Sequence, residues 1–230
     1  MKKQNLIRTA AALVAFPVLL SSPAAFAVSW TNWTSITPGL SGSGSGSITV
    51  GSETVGVSLS GLLNEFVDGD YYYNNVNTGF TSLAGTYGGM VPTDMIREWN
   101  SGTVTILFDE AVVDPYIALV SVGQPGTYNV NYTFQNLQNP ISVVSFGSNY
   151  WGYGGYSIAG NMFSGHEFNG ILQLSGTYNS LVFDISPNEF WHGFNVGIAS
   201  VADPVPEPAT MLLFGAGLAG LAGLKRRKKS

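Results

Sequence analysis

Between residues 28 and 202 the apolar residues fall in short runs separated by Gly, Ser, Thr and Asn, and long helical periodicity is missing. Such runs read as strands bounded by turns. Residues 28–36 (VSWTNWTSI) predict a first strand anchored by Trp30 and Trp33. Residues 47–50 and 54–60 flank Gly51-Ser52 as a hairpin, and 103–108 (TVTILF) is a strong strand followed by a turn over 109–115. The run 116–122 (YIALVSV) is apolar enough for a central strand buried on both faces. Residues 127–134 alternate Tyr128, Val130, Tyr132 and Phe134 with Thr127, Asn129, Asn131 and Thr133, the mark of a half-buried strand. Runs at 141–146, 155–163, 170–175, 181–185 and 193–199 bring the total to about ten strands. The predicted fold is all-β, a single β-sandwich of jelly-roll type. Residues 93–99 (TDMIREW) are the one helical candidate, with Thr93 or Asp94 as cap, and 41–47 (SGSGSGS) predicts a flexible loop. Gly-Thr-Tyr occurs at Gly85, Gly126 and Gly176, but unequal intervals and unlike flanks mark turn-to-strand starts and not repeats.

The two ends follow other rules. Lys2, Lys3 and Arg8 precede an apolar stretch over 9–20, and Ala25-Phe26-Ala27 offers an A-x-A cleavage site after Ala27. Residues 1–27 therefore predict a secretory signal peptide, exported by a Sec-type route and cut by signal peptidase. At the other end, Pro204, Pro206 and Pro208 stiffen an extended head. Residues 209–224 carry no charge and, as a helix, would run about 24 Å, slightly short of a bilayer core. Lys225, Arg226, Arg227, Lys228 and Lys229 can snorkel to close that gap and favour a cytoplasmic terminus. The predicted organisation is signal peptide 1–27, β-sandwich 28–202 and C-terminal signal 203–230, with a transmembrane helix over 209–224 and a basic tail over 225–229.

Pro206-Glu207-Pro208, an uncharged Gly/Leu/Ala span and a short basic end together resemble the PEP-CTERM sorting signal. The resemblance implies a precursor anchored in the inner membrane and processed at that motif by an exosortase-type membrane protease. It further implies delivery to the cell surface or beyond, in bacteria that make exopolysaccharide. The same tail is also catalogued as an ice-binding C-terminal domain. Ice binding calls for a regular Thr array, and only Thr103 and Thr105 offer that spacing. The body also resembles a recurrent group of PEP-CTERM ectodomains through Asp114-Pro115-Tyr116, the ALVSVGQPG run at 118–126, Tyr150-Trp151-Gly152 and Trp191-His192-Gly193-Phe194. That resemblance implies a shared domain and no particular mechanism.

Charge sharpens the picture once the ends are set aside. Of nine Lys and Arg, three lie in the leader and five in the tail, which leaves Arg97 against twelve acids, a net charge of −11 over 28–202. So acidic a body excludes nucleic acid as a partner. It suits solubility outside the cell and divalent cations. With no Cys in the chain, disulfides and thiolate chemistry are excluded, and stability must come from packing.

Candidate chemistry is sparse. Asp68-Gly69-Asp70 with Asn74, Asn75 and Asn77 concentrates oxygen ligands in one stretch, a candidate Ca²⁺ site built on Asp68 and Asp70 and the only cofactor the sequence suggests. His166-Glu167 and Glu189-x-x-His192 place both histidines near acids, so a site of two His and one carboxylate is conceivable, though a packing role for His192 accounts for the same residues. Tyr71, Tyr72, Tyr150, Trp151 and Tyr153 lie in aromatic clusters interrupted by Gly, which suits exposed loops that stack on sugar rings. The Gly/Ser repeat around Gly42, Ser43 and Gly44 offers no strand-to-helix elbow for a nucleophile, and Asp109 and Glu110, being adjacent, would point to opposite faces of a strand. The sequence therefore predicts an exported, non-enzymatic surface or extracellular-matrix protein associated with exopolysaccharide. Two alternatives stand beside it: a carbohydrate-binding module, and a secreted metal-dependent hydrolase using His166 and His192.

Overall fold

The computed structural model describes residues 27–67, 70–74, 87–90, 94–147, 154–202, 215, 217 and 218. Two antiparallel sheets face each other. One runs β10 (Ile141–Phe146), β13 (Phe168–Leu174), β8 (Tyr116–Val122), β15 (His192–Ile198), β6 (Met95–Glu98) and β5 (Glu65–Val67), with β1 (Ser29–Trp30) paired to β15. The other runs β11 (Gly155–Ala159), β12 (Met162–His166), β9 (Val130–Phe134), β14 (Thr177–Ser186), β7 (Gly102–Val113), β4 (Glu53–Leu63), β3 (Gly39–Val50) and β2 (Asn32–Thr37), with β16 (Ser200–Val201) on β7.

From β6 onward the chain switches sheets at nearly every turn. The order β6-β15-β8-β13 in one sheet and β7-β14-β9-β12 in the other nests early strands against late ones. Every second turn therefore falls at the same end of the sandwich. The turns after β6, β8, β12 and β14 share one end. Those after β7 and β13 share the other, where Gly176 N donates to Asp114 Oδ1 at 2.7 Å.

The space between the sheets is filled by alternate residues of facing strands. Val104, Ile106 and Phe108 of β7 meet Val130, Tyr132 and Phe134 of β9 and Phe183 of β14 across from Phe194 and Val196 of β15. The rings interlock, with Phe183 and Phe194 centroids 5.7 Å apart at 83°. Burying each such side chain contributes about 1.5–3 kcal/mol. Strand β8 is apolar but for Ser121 near its end because its outer face is also covered: Ala118 and Val120 pack with Trp30, Tyr73 and Met95 in a second cluster. The predicted central strand is thus central for the reason expected.

Several expectations are corrected. Residues 41–47 are not a loop but the middle of β3, flanked on both sides by β2 and β4. Their Gly/Ser alternation has the period of a strand: Ser41, Ser43 and Ser45 are exposed, while Gly42 and Gly44 are buried. A Cβ at Gly46 would stand 2.4 Å from the carbonyl oxygen of Asn32, so the close approach of β2 requires glycine there. Residues 95–98 are not helical but form β6, hydrogen-bonded to both β15 and β5. Ile96 enters the main core and Met95 the second cluster, and this packing overrides a modest helix propensity. Strand β7 continues through Asp109 and Glu110 to Val113, so the turn is confined to Asp114 (φ 48) and Pro115. Residues 155–163 are not one strand but the hairpin of β11 and β12. The predicted hairpin at Gly51-Ser52 is present, with Gly51 at φ 61.

At the ends, Ala27 is described and exposed, while Ala25 and the rest of the leader lie outside the described residues. Of the expected span 209–224, only Gly215, Gly217 and Leu218 are described, and they are helical. Among the described residues no helix is long and apolar enough to cross a membrane. Tyr71, Tyr72 and Tyr73 lie in a single π-helical turn, Asp70–Asn74.

The two faces of β3 predict opposite outcomes. Gly46→Val should destabilise by about 1–3 kcal/mol through overpacking against Asn32. Ser43→Val, on the exposed face, should change stability by no more than about 0.5 kcal/mol. Equilibrium urea unfolding of the two variants checks the contrast.

Candidate functional site

One end of the sandwich holds a cleft of about 790 Å³ whose walls come from separate stretches of chain. The turn after β8 contributes Gly123, Gln124, Pro125 and Tyr128, the junction of β12 and β13 contributes Glu167, and the turn before β15 contributes Glu189, Phe190 and Trp191. Three of the motifs singled out in the sequence, SVGQP, His166-Glu167 and Glu189-x-x-His192, thus meet at one place. The alternation of strands between sheets brings them there.

Two buried carboxylates form the floor. Glu189 accepts from Gly123 N at 3.2 and 3.1 Å, one contact to each oxygen, and its Oε2 lies 3.0 Å from His192 Nδ1. That second approach is an ion-pair distance without the alignment of a hydrogen bond. Glu167 takes up a left-handed backbone (φ 53), and its Oε1 accepts from Ser121 Oγ at 2.7 Å. Asn169 clamps the same turn: its Oδ1 accepts from Ser121 N at 2.7 Å and its Nδ2 donates to Glu167 O at 3.0 Å. Gly123, at φ 83, has no room for a Cβ, which would stand 2.3 Å from the carbonyl oxygen of Gly165. Burial raises the Glu167 carboxyl above its ordinary range, Ser121 draws it back, the charge of Glu189 raises it again, and His166 lowers it.

The side walls are aromatic. Tyr72 and Trp191 rings lie 4.7 Å apart at 45°, and Tyr71 meets Tyr72 edge-on at 4.9 Å and 87°. Phe190 is 91% exposed at the rim. Arg97 also borders the cleft, but its charge is engaged: Nη2 lies 2.6 Å from Glu65 Oε1, and the guanidinium stands 4.6 Å over the Trp99 ring.

Behind the floor, polar groups enter the core. Glu98 stands opposite His192 across the β6–β15 pair, and the His192 ring meets Tyr132 at 5.8 Å and 73°. Glu98 Oε1 accepts from Asn64 N at 3.2 Å, while its Oε2, Tyr132 Oη and His192 Nε2 are buried without hydrogen-bond partners among the described residues. Burial pushes the Glu98 carboxyl up to about 8, against a small opposing effect of the Asn64 bond. Burial, with the charges of Glu189 and Glu98, also raises the Tyr132 hydroxyl well above its usual range.

The expected site residues are partly brought together. Tyr72 lines the cleft, and Tyr71 is exposed beside it. Tyr150, Trp151 and Tyr153 lie outside the described residues, but both flanks of their stretch are fixed near the cleft. Gly147 N donates to Asn169 O at 2.9 Å, and Gly154 abuts His166 and Glu167. Asp68 is likewise outside, and Asp70 is described only as backbone of the π-helical turn. His166 ends β12 and does not sit in a loop; its Nδ1 pairs with Asn129 Oδ1 at 2.9 Å, whereas His192 is buried in the core. Among the described residues no three of His, Asp and Glu form a group that could hold a metal ion. Tyr128, Phe190 and Trp191 were not expected as site residues. Their signal was position at turns of one parity, which needs the strand order to be read.

Glu98 couples this core to pH. Its carboxyl titrates higher in the folded chain than its ordinary value of 4.5, so the folded state favours the neutral form. The stability this gives is whole below about pH 4.5 and is lost as pH rises through about 8. Glu98→Gln should therefore melt at higher temperature than the native chain at pH 8, with the difference shrinking towards pH 4.5; thermal unfolding across that range checks it.

No curated protein and no solved structure matches the chain. Residues 204–228 match the family model described as the PEP-CTERM protein-sorting motif, on the Pro206-Glu207-Pro208 head and the span after it. The chain thus carries a PEP-CTERM protein-sorting motif.

Proposed function

We propose that this is an exported, non-enzymatic protein of the cell surface or extracellular matrix, which holds exopolysaccharide in the cleft at one end of its sandwich. The sorting motif supports export and handling by an exosortase-type protease at Pro206-Glu207-Pro208. The order of the eight central strands is that of a jelly roll, an architecture that lectin domains use. Fold alone does not carry function. The observation that carries this reading is the pairing of aromatic walls, Tyr72, Tyr128 and Trp191, with polar groups held rigidly on the floor, Glu167 and Glu189. Sugar rings offer apolar faces to such walls and hydroxyls to such acceptors.

Trp191→Ala should weaken binding to the producing cell's exopolysaccharide by about tenfold or more, read as lost retardation in native gels containing that polymer. Unchanged retardation, with the variant's melting temperature preserved, overturns the binding role. For sorting, a Pro206→Ala/Glu207→Ala/Pro208→Ala variant should accumulate as a heavier, unprocessed form in the membrane fraction. Normal processing on an immunoblot overturns the role of the motif.

A further inference from the structure

We propose that the cleft selects cationic amino sugars, hexosamines with a free amine, over neutral N-acetylated sugars and over uronic acids. This rests on the polysaccharide reading and names the class of sugar. The charged groups around the cleft decide it. Glu167 comes from the β12–β13 junction and is held on the floor by Ser121 of β8, and Glu189 comes from the turn before β15 and is held by Gly123 of the turn after β8. Facing them, β6 offers Arg97, the single cation of residues 28–202, but that charge is matched by Glu65 of β5 at 2.6 Å. β12 offers His166, engaged with Asn129, and β15 offers His192, against Glu189. Among the described residues no Lys or Arg pairs with Glu167 or Glu189.

An ammonium group suits this setting in three ways. It donates to carboxylates through charge-assisted hydrogen bonds. It is attracted to the faces of Tyr72, Tyr128 and Trp191, which attract cations as well as apolar ring surface. Its polymer is drawn towards a body of net charge −11, which repels a polyuronate. A bound cation favours the ionised form of Glu167, whose carboxyl burial raises, so affinity should fall as pH drops through that titration.

The test uses the full purified chain and isothermal titration with three oligosaccharides of equal length: a β-1,4-linked glucosamine oligomer, its fully N-acetylated form, and a uronate oligomer. The glucosamine oligomer should bind about tenfold or more tightly than the N-acetylated one. The uronate should not bind, and the preference should shrink between about 0.02 M and about 0.2 M salt. Glu167→Gln should narrow the preference, and the ligand series keeps the test valid if that variant does not fold. Equal binding of the free and N-acetylated oligomers overturns the class while leaving polysaccharide binding in place. Binding of the cell's own exopolysaccharide but of no glucosamine oligomer does the same. Binding of none of these polymers overturns both readings.

Discussion

The carboxylate of Glu189 ties the end of the sandwich together. It receives the Gly123 amide from the turn after β8 and stands against His192 at the start of β15. Its own amide donates to Trp99 O after β6 at 3.2 Å. Three turns that are far apart in sequence are thus joined at one buried residue. Removing one partner of such an arrangement leaves the other buried and unsatisfied, which costs about 1–3 kcal/mol or more for a charged group. Glu167, with Ser121 and Asn169, braces the neighbouring turn in the same manner.

Polar groups this deep have a cost that the rest of the fold offsets. Glu98, Tyr132 and His192 enter an interior otherwise made of interlocked Phe, Ile, Leu and Val. With no cysteine to cross-link the sheets, the offset comes from packing across both faces of the first sheet. That double cover explains why Trp30 and Tyr73, outside the main sandwich, are buried as fully as core residues.

How much of this was legible in the sequence depends on range. Strands β7 and β8 are readable in their apolar runs, 103–108 and 116–122, but the extension of β7 to Val113 is not, because Asp109 and Glu110 carry a turn's composition on an exposed stretch of strand. The Gly/Ser stretch has a loop's composition but a strand's period, and its inward glycines leave room for β2 close alongside. Residues 95–98 were misread because four residues carry too little pattern to outvote propensity, and the decisive partners, β5 and β15, lie about 30 and 100 residues away. His166-Glu167 and Glu189-x-x-His192 were both noticed as chemistry-bearing pairs. Their meeting in one cleft, with the two histidines pointing to different neighbours, required the nesting of strands that no local pattern encodes. Tyr71 is exposed, as its Gly- and Asn-rich surroundings suggest, but Tyr72 is half-buried against Trp191, a contact that sequence cannot show because Trp191 adjoins a strand that is wholly buried.

The pairing of β1 with the far end of β15 sets how the domain is held. Ser29 lies opposite Ile198, and β16 begins two residues later, so the first and last strands of the body leave from neighbouring points. The cleft lies at the other end of β15, near His192, about 20 Å away along the strand. The body thus begins and ends, at Ser29 and Ala202, towards the pole opposite the cleft, so both of its ends leave the mouth of the cleft free.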